Sequence, residues 1–282
     1  MSEPECSVFQ GVLLFTYPLI DPIAISIGPI DIRWYALAYL AGLVVGWAYA
    51  RALAARTPNV IAPTQLDDLL SWIALGVVLG GRLGYVLFYN LPYYLDHPLE
   101  IFMVWKGGMA FHGGMLGVIL AIMIYCRKYQ LDAFRVGDVI APAVPIGLFF
   151  GRLANFINGE LYGRLHNGSW AVPFPSGPDG LLELRHPSQL YEAVLEGILL
   201  FAILLMARLL GAHRKPGLLT GIFLIGYGIG RIIGEFYREP DPQLGFLLFG
   251  EGGLTMGMLL SIPMIFAGIG FILLAPRYSK AT

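Results

Sequence analysis

Charge is scarce in this sequence. Asp, Glu, Lys and Arg make up 13% of the 282 residues, about half the roughly 25% of a soluble domain. The formal net charge is −1, and no basic stripe interleaved with aromatics appears, which excludes a nucleic-acid surface. Cysteine is scarcer still: Cys6 and Cys126 are too few and too far apart for a disulfide framework or a metal-ligand spacing. Cys6 follows no charged and apolar leader, so the sequence is expected to be neither signal-cleaved nor itself lipidated there. The five histidines stand singly, which argues against a metal site.

What is abundant is apolar surface. Hydrophobic residues make up 57% of the chain and the mean hydropathy is +0.69, values of an integral membrane protein. A span needs about 20 mostly apolar residues, and seven runs qualify: 34–55, 68–89, 109–126, 138–158, 189–209, 217–237 and 255–275. They are expected to be helices, because lipid satisfies no backbone polar group. The glycines of "GGMLG" and "GYGIG" suit close helix packing.

Basic residues orient the bundle. With the N-terminus outside, ten of the eighteen Lys and Arg residues fall in cytoplasmic segments, five in outer segments and three within spans. The expected fold is therefore all-α: seven transmembrane helices, N-terminus outside, C-terminus cytoplasmic, with a small outer head made from loops. Residues 1–282 form a single transmembrane domain. Within it, 1–33 is an outer interfacial segment broken by Pro18, Pro22 and Pro29, with Trp34 and Tyr35 as interface anchors, and 159–188 is an outer head loop.

The three intramembrane arginines share a phrase: Arg82 in "GRLG", Arg152 in "GRLA" and Arg231 in "GRII". Counted from span starts at 68, 138 and 217, each lies fourteen residues along, roughly 21 Å from the cytoplasmic boundary at 1.5 Å per residue. All three are expected in the outer third of a hydrocarbon core about 30 Å thick. A single arginine there can snorkel to the headgroups, and Arg231 can neutralise Glu235 four residues on. Three at one level are harder to dismiss, since each costs several kcal/mol without a partner. A guanidinium is also suited to grip a phosphate through two parallel hydrogen bonds.

Other polar residues gather at that level. Tyr35 opens the first span, His112 lies near the outer start of the third, Tyr227 is one turn from Arg231, and Asn155 follows Arg152 at i+3. For His112 taken alone, a satisfied buried histidine is the stronger of the two readings. Glu192 and Glu196, toward the outer end of the fifth span, can simply pair with an arginine. No acidic residue falls near the middle of a span, which disfavours a proton-relay transporter.

The stretch "GRLANFINGELYG" (151–163) resembles, position for position, the signature of bacterial prolipoprotein diacylglyceryl transferases. "IRWYALAYLAG" (32–42), "GGRLGYVLFYN" (80–90), "FHGG" (111–114), "RHPSQLYEAVLEG" (185–197) and "GRIIGEFYREPD" (230–241) look like the same family in the same order. The resemblance implies transfer of the diacylglyceryl group of phosphatidylglycerol to the lipobox cysteine thiol of a prolipoprotein. That reaction forms a thioether, releases glycerol phosphate, and is the first step of lipoprotein maturation in the bacterial inner membrane. No cofactor and no metal are implied; the partners are phosphatidylglycerol, prolipoprotein lipobox peptides and membrane lipids.

By resemblance, Arg152 and Asn155 bind the headgroup and Arg231 stabilises the leaving phosphate, with Tyr227 positioning it. His112 is the general base for the thiol and Tyr35 a supporting hydrogen-bond donor. Glu160 and Gly163 shape the turn where the fourth helix leaves the membrane. For Arg82 a structural pairing and a catalytic role stand equal. Two rivals remain: a transporter would carry polar residues on toward the cytoplasm, and a non-catalytic lipid scaffold would have no use for His112 or Tyr35.

Overall fold

The computed structural model describes residues 23–28, 30–176, 181–240, 245–247 and 253–278. Seven helices are long and apolar enough to span a membrane: Trp34–Arg56, Pro63–Phe88, Phe111–Lys128, Ala133–Ile157, Ser188–Leu209, Leu218–Tyr237 and Met256–Ala275. Each overlaps its expected run, so the chain is a multi-span membrane protein. Residues 1–22 of the expected interfacial segment lie outside the described residues.

The second and fourth spans begin five residues earlier than the apolar runs. Pro63 opens the second at the first helical turn, where its missing N–H has no intrahelical use. The Asp132 carboxylate accepts from the backbone N–H groups of Phe134 and Arg135 and caps the fourth. Polar first turns thus carry both helices past the ends of their hydrophobic stretches. The equal spacing of the three arginines from the inner ends is corrected accordingly: Arg82 and Arg152 lie nineteen residues from their helix starts and Arg231 thirteen. Measured from the opposite ends the level holds, at six, five and six residues before Phe88, Ile157 and Tyr237.

Two spans are irregular. The fourth consists of Ala133–Ile140 and Val144–Ile157, joined by a 3-10 turn at Ala141–Ala143, where Pro142 and Pro145 lack the N–H an α-helix would use. The fifth passes from α-helix (Ser188–Glu192) through a π-helical stretch (Ala193–Leu199) to α-helix again (Leu200–Leu209). Such i→i+5 insertions concentrate at functional sites.

Small residues set the packing. A Cβ on Gly76 would stand 2.6 Å from the Gly117 carbonyl oxygen, and one on Gly84 would stand 2.7 Å from Gly113 Cα. The second and third spans therefore touch backbone to backbone, the arrangement that small-residue stripes permit in lipid. The first span packs on the fourth through Gly42 and Gly147, and the sixth packs on the seventh through Gly221 and Gly268. The largest buried apolar cluster, including Leu53, Leu69, Tyr125 and Val136, joins the first four spans at the end away from the arginines. At that same end Asp138 accepts from the N–H groups of Gly217 and Thr220, both at 2.8 Å, and from the Thr220 hydroxyl at 2.9 Å. It caps the sixth span from across the bundle.

The all-α expectation is corrected by two small hairpins. β1 (Ile23–Ile27) pairs antiparallel with β2 (Ile30–Arg33), which runs directly into the first span. β3 (Val172–Pro175) pairs antiparallel with β4 (Leu182–Arg185) inside the expected head. An isolated bridge from Leu165 to Arg185 lies within that head, and one from Gly163 to Arg238 ties it to the end of the sixth span.

Candidate active site

The fourth, fifth and sixth spans each carry a charged side chain into one buried cluster. Arg152 Nη1 lies 3.1 Å from Glu192 Oε2, and its Nε and Nη2 donate to Glu196 Oε2 at 3.3 and 3.2 Å. Arg231 Nη1 donates to Glu192 Oε1 at 2.7 Å, while its Nη2 pairs with Glu235 one turn further on. Arg238 lies 3.8 Å from Glu192, and the Thr255 hydroxyl donates to Glu235 at 2.7 Å. Glu192 and Glu196 are 0% exposed. Three guanidinium groups and three carboxylates leave the cluster formally neutral, which is how this much charge is tolerated away from water.

Local structure explains the convergence. Glu192 immediately precedes the π-helical stretch and Glu196 lies in its first turn, and Gly197 lets that turn ride against Phe149 of the fourth span, where a Cβ would meet the Phe149 Cβ at 2.7 Å. Tyr227 is half-buried and interacts with Arg152, Arg231, Glu192 and Glu196. One side remains open: among the described residues, beyond the adjoining backbone of the helix itself, no atom lies within 4 Å of where a Cβ on Gly151 or on Gly147 would stand. Beside Arg152, the fourth helix thus presents bare backbone to unfilled space.

A second group adjoins the first. Asn155 is buried and donates through Nδ2 to Glu160 Oε1 at 2.8 Å. Tyr35 interacts with Asn155 and Glu160 and meets the Tyr39 hydroxyl at 3.0 Å. The Glu160 carbonyl accepts from the Gln189 amide at 2.7 Å. Arg152, Arg231 and Tyr227 are therefore brought together, and Asn155, Glu160 and Tyr35 form an adjoining set.

Two expectations meet a different geometry, and Arg82, for which two readings stood equal, acquires its partners. Gly163 does not sit in the helix-exit turn, where Gly159 and Leu161 adopt positive φ instead. It lies in the bridge to Arg238, where a Cβ would stand 2.5 Å from the His186 carbonyl oxygen and 2.6 Å from that of Tyr237. Only glycine lets the three segments close there. His112 is exposed at the second residue of the third span, its ring edge-on to Phe111 at 5.6 Å. That span packs on the second and on the start of the fourth, so His112 stands apart from the ionic cluster. Arg82, left open by the sequence, is 3% exposed and donates to the backbone carbonyls of Glu100, Ile101, Met103, Gly107 and Gly108, with Ile101 at 2.8 Å. It stacks 5.1 Å from the Tyr94 ring centroid. Its role is to hold the 91–108 connection against the second span.

The expected pairing of Arg231 with Glu235 is present, whereas Glu192 and Glu196 are expected only as partners for some arginine, and Arg238 is not among the expected site residues. The i, i+4 spacings of Glu192 with Glu196 and of Arg231 with Glu235 are the available signal. The head adds a tightly held arginine: Arg185 pairs with Glu183 at 2.7 Å and Glu239 at 3.2 Å and donates to the Gly163 carbonyl. The Ser176 hydroxyl and Arg185 hold the Glu183 carboxyl below its usual range. His186 stacks on His166 with ring centroids 3.9 Å apart, and burial together with that neighbouring imidazole lowers its pKa.

Seven spans around a neutral, buried knot of guanidinium and carboxylate groups, open to one side along a helix of bare glycines, define a polytopic membrane protein with an intramembrane polar site. Residues 22–274 match the family described as prolipoprotein diacylglyceryl transferase. The chain is 58% identical over 263 residues to a protein of Paramagnetospirillum magneticum, covering 93% of this chain and 96% of that one. It is 56% identical over 272 residues to one from Azospirillum brasilense, covering 96% and 100%. A Nitrobacter hamburgensis protein is 56% identical over 270 residues, covering 93% and 91%. All three are described as phosphatidylglycerol–prolipoprotein diacylglyceryl transferases. The chain belongs to the prolipoprotein diacylglyceryl transferase family and is an enzyme of it.

Proposed function

We propose that this protein transfers the diacylglyceryl group of phosphatidylglycerol to the lipobox cysteine thiol of prolipoproteins, in the bacterial inner membrane with the arginine end of the bundle outward. The observation that carries the reading is the pair Arg152 and Arg231, bridged by one carboxylate and set beside the open position at Gly151. A phosphodiester entering at that position meets donors arranged for an anion, in a site that excludes water and so strengthens each charge interaction.

The reaction follows from these groups. The lipobox thiol, with an ordinary pKa near 8.5, loses its proton to His112, and the thiolate attacks the glyceryl carbon that bears the phosphate. The C–S bond forms as the C–O bond breaks, and the electron pair leaves with glycerol phosphate. Arg231 takes up the charge that develops on that oxygen, Arg152 and Asn155 hold the headgroup, and Tyr227 and Tyr35 orient it. Glu160 fixes Asn155 through their hydrogen bond. On this reading His112, exposed near the start of the third span, meets a peptide arriving from outside.

Outward orientation rests on the ten-to-five distribution of basic residues. A cysteine placed at position 165 should react with an impermeant reagent in intact cells, while one at 213 should stay protected; the reverse labelling would invert the topology. For the activity itself, purified protein incubated with phosphatidylglycerol and a lipobox peptide should raise the peptide mass by one diacylglyceryl group. A peptide of unchanged mass with folded protein would sink the assignment. The transporter reading loses its support at the inner end, where Asp138 caps a helix and the surrounding cluster is apolar.

A further inference from the structure

The buried cluster is neutral as it stands, and an arriving lipid phosphate brings one more negative charge. Arg152 presents two edges: Nη1 faces Glu192, and the Nε/Nη2 edge faces Glu196. A phosphodiester that binds this guanidinium bidentately through the second edge takes the place of Glu196. The three acids are not equally held. Glu192 sits among Arg152, Arg231 and Arg238. Glu235 is bound by Arg231 and the Thr255 hydroxyl. Glu192 Oε2 and Glu196 Oε1 are both buried without a hydrogen bond among the described residues, but Glu192 has ion pairs to three arginines, whereas Glu196 pairs there with Arg152 alone.

We propose that phosphatidylglycerol binding carries a proton into the site, and that Glu196 is the group that takes it. The proposal rests on the reading of this cluster as the headgroup site. Once Arg152 turns to the phosphate, a fully buried carboxylate is left without a partner, a state that neutralisation relieves at far lower cost than burying the charge. The groups facing Glu196 are Arg152 from the fourth span, Arg231 and Tyr227 from the sixth, and Glu192 from its own helix. With the lipid phosphate added and Glu196 protonated, three positive charges again meet three negative ones. Glu196 is thus the counterion that the substrate displaces.

The test is titration calorimetry on the full-length protein in detergent with dioctanoyl phosphatidylglycerol, at pH 7 in two buffers of different ionisation enthalpy. The wild type should take up close to one proton per lipid, and its affinity should fall as pH rises, by up to about tenfold per unit for a single linked proton. Glu196→Gln, which keeps the shape of the protonated acid, should bind with uptake near zero and with affinity indifferent to pH between 6.5 and 8.5. Binding by the wild type without proton uptake, or equal uptake by Glu196→Gln, overturns the proposal and leaves the headgroup site standing. Absence of any lipid binding overturns the site itself. Uptake with glycerol phosphate but not with the lipid would assign the site to a free phosphate ester. Should Glu196→Gln fail to fold, the infrared difference spectrum of wild type with isotopically labelled glutamate decides: a new protonated-carboxyl band on lipid addition supports the proposal, and its absence refutes it.

Discussion

Replacing Glu192 by glutamine should be among the most destabilising single changes in the protein. Its carboxylate is fully buried and lies 2.7 Å from Arg231, 3.1 Å from Arg152 and 3.8 Å from Arg238. The amide occupies the same volume, so no cavity forms; what changes is that the buried cluster acquires one uncompensated positive charge. Removing one partner of a buried pair costs about 3–5 kcal/mol, whereas Glu239→Gln, which breaks a pair to Arg185 at a side chain 45% exposed, should cost about 0–1 kcal/mol. Chemical unfolding in mixed micelles measures both. Combining Glu192→Gln with Arg231→Met restores the charge balance and should recover a sizeable part of the loss, a non-additivity expected of residues in one network. If Glu192→Gln lies within about 1 kcal/mol of Glu239→Gln, the cluster is not desolvated in the way the electrostatic argument requires.

Arg152→Lys should be nearly as inactive as Arg152→Ala in the transferase assay, because all three guanidinium nitrogens are engaged by two carboxylates and one ammonium cannot reproduce that fork; near-normal turnover by the folded lysine variant would show that a point charge suffices. His112→Gln should bind phosphatidylglycerol normally yet transfer about 10²–10⁴-fold more slowly, with partial recovery toward pH 9 as the thiolate forms unaided. Lost lipid binding, or a residual rate flat in pH, would remove His112 as the base. Gly163→Ala places a methyl group 2.5 and 2.6 Å from two backbone carbonyl oxygens and should cost about 1–3 kcal/mol, as overpacking does; an unchanged unfolding midpoint contradicts the close approach. The lowered pKa of His186 means the unfolded chain binds the proton more readily, so this contribution is complete above the ordinary value near 6.5 and is lost as pH falls through it toward the folded value. Stability profiles between pH 5 and 8 should show that acid-side decline in wild type and a weaker one in His166→Gln, and identical profiles would exclude the stacked imidazole as a cause.

Length and hydropathy made the seven spans legible, because a run of about 20 apolar residues has few alternatives in lipid. The early starts of the second and fourth helices were not, since Gln65 and Asp67, and likewise Arg135, belong to helical turns that hydropathy does not reward. Arg152, Tyr227 and Arg231 were recognisable as a set from their level and their motif. Glu235 was legible as a partner of Arg231, but Glu192 was not, because its pairing with two arginines from other helices exists only after the fifth span has packed through Gly197. Arg82 could not be resolved from sequence at all: the groups it holds are backbone carbonyls, which every residue carries. The hairpin strands are four or five residues long, too short for alternation to distinguish them from loop.

The glycine seam between the second and third spans has a genetic consequence. Where a core fails because a side chain has grown, a second mutation can often restore it by trimming the neighbour. At Gly76 and Gly117, or Gly84 and Gly113, the neighbour is backbone already, and the residue across the seam has nothing left to lose. A bulky allele at any of these positions should therefore yield no local revertant other than glycine itself. Suppressors, if selected, would map elsewhere in the bundle and act by raising overall stability, so the seam would appear in such a screen as a line of positions without compensating partners.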